Sequence, residues 1–186
     1  MTQKLEHPWV SEVLNKDEIK QFAEFEASLK KRGAKAAEKF KESWVALMDE
    51  IESHLKEDPR SEVGVDIGKR CMEMVNAHYG IEHINLRTKI WENGFMNESK
   101  RMSHGLSKDV TTWLEKAVDA YWHDRAYAIL KQVGTAPEIR SLRDWNQLLE
   151  DMYGTDENRK LQLLDVALND INISENAKEW LKKNYA

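Results

Sequence analysis

Phe40, Trp44, Leu47, Met48, Ile51 and Leu55 recur at steps of three and four residues, the spacing that sets side chains along one stripe of an α-helix. Lys41, Glu42, Asp49, Glu50 and Glu52 occupy the opposite side, so this helix is two-faced and is not a membrane span. Its apolar stripe has to be covered by another element. Asp58, Pro59, Arg60 and Ser61 end it, because proline cannot continue the hydrogen-bond ladder and forces its predecessor out of the α region. A second helix restarts at Ser61 and Glu62 and runs through Ile67, Cys71, Met74, Val75 and His78 to Gly80. A third segment carries Ile84, Ile90, Trp91 and Phe95. A helical hairpin with a third arm is the unit these spacings predict, walling a hydrophobic cleft.

The same periodicity extends through most of the chain. With only 3 Pro and 8 Gly among 186 residues and little period-two alternation, it predicts an all-α fold. Asn15, followed by Asp17 and Glu18, opens a helix through Ile19, Phe22, Phe25 or Ala23, and Leu29, closed by Gly33. Before it, His7, Pro8 and Trp9 belong to an N-terminal arm over residues 1–14. Glu92, Asn93 and Gly94 read as a turn, and Asn97 to Ser99 as the cap of a short helix before Met102. His104 and Gly105 then break the chain. Ser107 caps a long helix with Val110, Trp113, Leu114, Ala117 and Tyr121 on one face, reaching Val133. The small residues Ala117, Ala120, Ala126 and Ala128 allow a neighbouring helix to approach closely. After Pro137 three shorter amphipathic pieces follow, with Ile139, Leu142, Trp145, Leu148, Leu149 and Met152 facing inward in the first, and Leu161, Leu164 and Leu168 in the second. The third is capped by Ser174 and turns Ala177, Trp180 and Leu181 inward. Residues 15–134 thus form the main helical domain, and residues 135–186 a C-terminal helical extension or small subdomain.

Charge and composition narrow the function. A net charge of −5, with no basic block beyond Lys30, Lys31 and Arg32, gives no concentrated positive face for phosphates, so nucleic acid is not an expected direct partner. Neither is a membrane. The lone Cys71 has no internal disulfide partner, and the first residues lack an apolar leader core, which together predict a cytoplasmic protein. His78 and His83 are five apart across Gly80, which is not a metal-ligand spacing, and Cys71 among Ile67, Met74 and Val75 reads as a buried thiol. No phosphate-binding loop, zinc signature or nucleophile motif is present, so neither a metal, a cofactor nor an enzyme is expected. The aromatic residues carry the most information. Seven Trp are many for this length, and Trp44, Tyr79, Trp91, Phe95, Trp113 and Tyr121, with His83, all come from the hairpin, its third arm and the long helix. Such a set either fills a core or walls a pocket for a large, flat ligand.

Three stretches resemble the TipAS antibiotic-recognition domain, found as the effector half of some MerR-type multidrug regulators and as free-standing drug-binding resistance proteins. The run Trp44 to Glu50 with the link Asp58 to Ser61 is similar to the family's tryptophan-to-glutamate helix and its turn. Met74 to Trp91, with His83 inside it, resembles the ligand-facing segment, and Gly105 to Ala117 resembles the final helix. The likeness covers residues 15 to 130. It implies a compact, globin-like helical bundle without haem, whose partly mobile helices close around a bulky aromatic antibiotic or related metabolite. Relatives that capture thiopeptides covalently carry a cysteine just before the histidine matching His83; here Ile81 and Glu82 precede it, so covalent capture is not expected. No winged-helix half precedes the domain, which favours a free-standing binder acting by sequestration or sensing. The alternative is a helical protein–protein interaction module or homodimer whose aromatics fill the interior and leave no pocket.

Overall fold

In a computed structural model, residues 9–101 and 106–185 are described. His7, Pro8, Met102, His104 and Gly105 lie outside them. The described residues contain ten α-helices and no strand: α1 Val10–Val13, α2 Lys16–Arg32, α3 Ala34–His54, α4 Glu62–Tyr79, α5 Ile84–Ile90, α6 Glu98–Arg101, α7 Lys108–Lys131, α8 Glu138–Tyr153, α9 Glu157–Asn169 and α10 Glu175–Tyr185. The all-α class follows, and among the described residues no helix is long and apolar enough to cross a membrane.

The helix starts are fixed by local chemistry. At α2 the Asn15 side chain accepts from the backbone of Asp17 and Glu18 while Glu18 reaches back to the Asn15 N–H, a complete capping box. Ser61, Ser107 and Asp156 do the same more simply for α4, α7 and α9. Two helices lack such a start: α3, which begins after Gly33, and α5 have neither a side-chain cap nor an acid in the first turn.

Helices α4 and α7 form the central pair. The Trp113 indole N–H donates to the Glu57 carbonyl at 3.0 Å, Gly68 faces Ala117, and Asn76 and Arg125 both bond Asp151. These pairings advance in the same sense, so the two helices run parallel and α5 and α6 carry the chain back between them. The axes come so close at Gly68 that a Cβ there would stand 2.4 Å from the Ala117 carbonyl oxygen.

Three apolar clusters surround this pair. One joins Leu47, Met48 and Ile51 of α3 to Ile67, Cys71, Trp113, Leu114 and Ala117. Another joins α1 and α2, through Val10, Val13, Phe22 and Phe25, to Leu86 and Ile90 of α5. The third buries Trp145, Leu148, Leu164, Ala177 and Leu181 of the C-terminal helices against Met72, Trp122, Ile129 and Leu130. Two inward assignments in this part are corrected. Ile139 is 75% and Leu161 56% exposed. Ser141 and Ala167 take the buried faces of α8 and α9, because the neighbouring helices contact a narrower stripe than the apolar residues alone suggest.

The expected turn at Glu92–Gly94 is also corrected. Trp91–Phe95 is a wide, π-type helical turn that continues α5, with the Met96 N–H bonding the Trp91 carbonyl at 3.0 Å. The turn is held from outside, because Asn93 donates to the Val13 carbonyl at 2.9 Å and Arg159 binds Glu92.

Candidate functional site

Between the first two clusters runs a seam of aromatic rings contributed by α2, α3, the end of α4 and the wide turn. Its sequence origin is simple. Phe40 and Trp44 are one turn apart on α3, Trp91 and Phe95 are the two ends of the wide turn, and His78 and Tyr79 are the last residues of α4. Gly80, at φ +77, lets the chain reverse there, and its N–H bonds the Asn76 carbonyl at 2.8 Å. Arg32 fixes the same end from α2, donating to the carbonyls of Ala77 at 3.2 Å and His78 at 2.7 Å.

Ring contacts connect the whole seam. His78 stacks face to face on Phe40 with centroids 3.6 Å apart and receives the edge of Phe25 at 5.4 Å. Phe25 in turn stacks on Tyr79 at 4.6 Å and meets His83 at 5.5 Å. From Phe40 the line continues to Trp44 at 6.3 Å, on to Phe95 at 6.0 Å, and to Trp91 at 5.7 Å from Phe95. Phe25 is buried; the other rings are half-buried.

Burial leaves His78 and Tyr79 neutral. Burial, helped by the nearby Arg32 guanidinium, pulls the His78 imidazole down to about 4, so it is uncharged at neutral pH and offers one donor and one acceptor nitrogen. Burial pushes the Tyr79 phenol up to about 12. Burial likewise pushes the Cys71 thiol up to about 12, which removes the thiolate that nucleophilic chemistry would need. Among the described residues no group of three or more His, Cys, Asp or Glu could hold a metal ion.

Of the ring residues singled out in the sequence, Trp44, Tyr79, His83, Trp91 and Phe95 come together on this seam. Trp113 does not share its exposed side: it is 5% exposed, its indole N–H is satisfied by Glu57, and it belongs to the core on which Trp44 and Trp91 rest. Tyr121 is elsewhere, its ring against Trp122 at 4.6 Å beside the C-terminal helices. Phe25, Phe40 and His78 complete the seam and were absent from the sequence-derived set. Phe40 and Phe25 were legible there only as core positions of their helices; His78 was legible as the neighbour of Tyr79. Two surface clefts, of about 210 and 310 Å³, are lined by other residues, the first by Gln21, Asn85, Lys89, Tyr153 and Arg159 and the second by Arg60, Asp66, Lys69 and Asp124.

Comparison of the chain with protein-family models, curated proteins and solved structures finds no match.

Proposed function

We propose that this is a non-catalytic, cytoplasmic protein that binds a flat, hydrophobic or aromatic small molecule of the antibiotic type along the ring seam, by sequestration or sensing, in the manner of the TipAS domain it resembles. The observation that carries this reading is the seam itself: a line of half-buried rings from separate elements, with the neutral His78 among them. Such a surface offers stacking faces and a hydrogen-bonding edge.

The rings touch one another, so a guest enters only if they part, and α3 is built to allow it. From Ala34 to Ala46 every residue is exposed except Phe40 and Trp44. The first half of this helix is therefore held down by two side chains whose burial contributes roughly 1.5–3 kcal/mol each at most. An opening that costs a few kcal/mol is populated at a level a ligand can select.

The test is titration of the whole protein with a panel of bulky aromatic antibiotics, read by tryptophan fluorescence and melting temperature. A hit raises the melting temperature, and Trp44→Ala weakens its binding by about tenfold, the effect of losing one stacking partner. Unchanged fluorescence and melting across a saturating panel would refute the reading.

A second reading is favoured by the direct contact of ring on ring along the seam: the rings are packing, and the helices serve a protein partner or a homodimer. Sedimentation over a wide concentration range separates the two, since a homodimer shifts with dilution and a monomeric binder does not.

A further inference from the structure

Helix α5 and the wide turn present two faces with different chemistry. On one, Leu86 and Ile90 enter the core shared with α1 and α2, and Phe95 meets Trp44 of α3. The other face is polar and is fastened to the corner where α8 passes into α9. Asn85 donates to the Thr155 hydroxyl at 3.3 Å, and one Arg159 nitrogen donates to both carboxylate oxygens of Glu92 at 2.7 and 2.9 Å. The corner sits so close to α5 that a Cβ on Gly154 would stand 3.0 Å from that of Ile84.

Arg87 is the centre of this attachment. It is 9% exposed, yet it donates to the carbonyls of Asp151 at 3.1 Å and Met152 at 2.8 Å, and to the side chains of Asn76 and Thr88. Asn76 donates to the same Asp151 carbonyl at 3.1 Å. Those carbonyls belong to the last turn of α8, where no intrahelical partner exists and where the helix dipole favours a cation. Desolvation lowers the guanidinium to about 10, which leaves it charged at neutral pH. A buried cation is tolerated only where its donors are satisfied, so the α8 terminus and α5 are held in one arrangement.

We infer that the α8–α9 corner sets the position of the ring seam, with α5 and the wide turn as the lever between Arg87 and Glu92 on one side and Phe95 against Trp44 on the other. A short helix packed on both faces cannot shift at one without moving at the other. The C-terminal helices are then a control element for the seam. The consequence for ligand affinity rests on the binding reading above; the mechanical link itself does not.

The link is tested without any ligand. The full chain is labelled with 5-fluorotryptophan, its fluorine resonances are assigned by single Trp→Phe replacements, and the Trp44 resonance is followed in Arg87→Met and Arg159→Met. Arg87→Met takes from the Met152 carbonyl its Arg87 donor and leaves the Asp151 carbonyl to Asn76 alone, and can compromise folding. Arg159→Met removes only partly exposed ion pairs, to Glu92 and Asp156, so that variant keeps the fold. The expected result is a shift of Trp44 in Arg159→Met, and a larger one in Arg87→Met where it folds. A Trp44 resonance that stays in place in folded Arg159→Met overturns the proposal. The antibiotic titration of the unmodified protein decides the binding reading separately.

Discussion

Single residues set the chemistry of the seam, and His78 is the one whose behaviour can be followed by pH. Its folded-state value of about 4 lies below the ordinary 6.5, so between those limits the unfolded chain holds a proton that the native state does not. Stability contributed by neutral His78 is thus complete above about 6.5 and is lost as pH falls towards 4. Replacing His78 by Phe keeps a ring against Phe40 and removes the proton. The melting temperature of the variant is expected to fall less than that of the unmodified protein between pH 6.5 and 4; equal slopes would show that His78 is not the group responsible. Neither this depression nor the stack on Phe40 was legible in the sequence, because both arise from burial between α2 and α3, residues remote along the chain. The Cys71 thiol is the contrasting case: its apolar helical neighbours Ile67, Met74 and Val75 announced burial directly.

At the scale of the element, local signals were read well and contact faces less so. Asn15, Ser61, Ser107 and Asp156 start helices because a short polar side chain satisfies backbone N–H groups left over at a helix start, and the requirement is local. Asn15→Ala dismantles the capping box and is expected to lower stability by about 1 kcal/mol, or a few degrees in melting temperature. Gly68 is different in kind. A methyl group there meets the Ala117 backbone, so Gly68→Ala forces α4 and α7 apart and should cost at least about 1–3 kcal/mol, although alanine is the better helix former in isolation. A thermal melt distinguishes the outcomes: a rise would mean the helices are not in contact at this point. The small residues of α7 did mark a close approach in the sequence, yet Ala117 makes it while Ala128 is exposed. The wide turn at Trp91–Phe95 was not legible because Asn93 and Gly94 carry the composition of an ordinary turn, while its anchors from Val13 and Arg159 are remote in the chain.

At the scale of the molecule, the C-terminal helices bury their tryptophans against the far side of α7 and the middle of α4, so both halves of the chain share α7 as a wall. A chain ending at residue 134 would expose Trp122, Ile129 and Leu130 and strip Arg87 of its carbonyl partners. It is expected to lose cooperative melting and to bind hydrophobic dyes, as circular dichroism and dye fluorescence would report. A sharp melt of that fragment would show that residues 9–134 fold alone. What the sequence determined by itself was the all-helical class, most helix starts and stops, and the presence of a large aromatic set, since periodicity, capping and proline placement act within a few residues of one another. What only the tertiary structure decided was which rings meet: Tyr121 turns towards Trp122, Trp113 goes into the core, and Phe25, Phe40 and His78 join Trp44 and Phe95. Helical spacing fixes the face a side chain occupies, whereas the neighbour it finds depends on the crossing of helices distant in the chain.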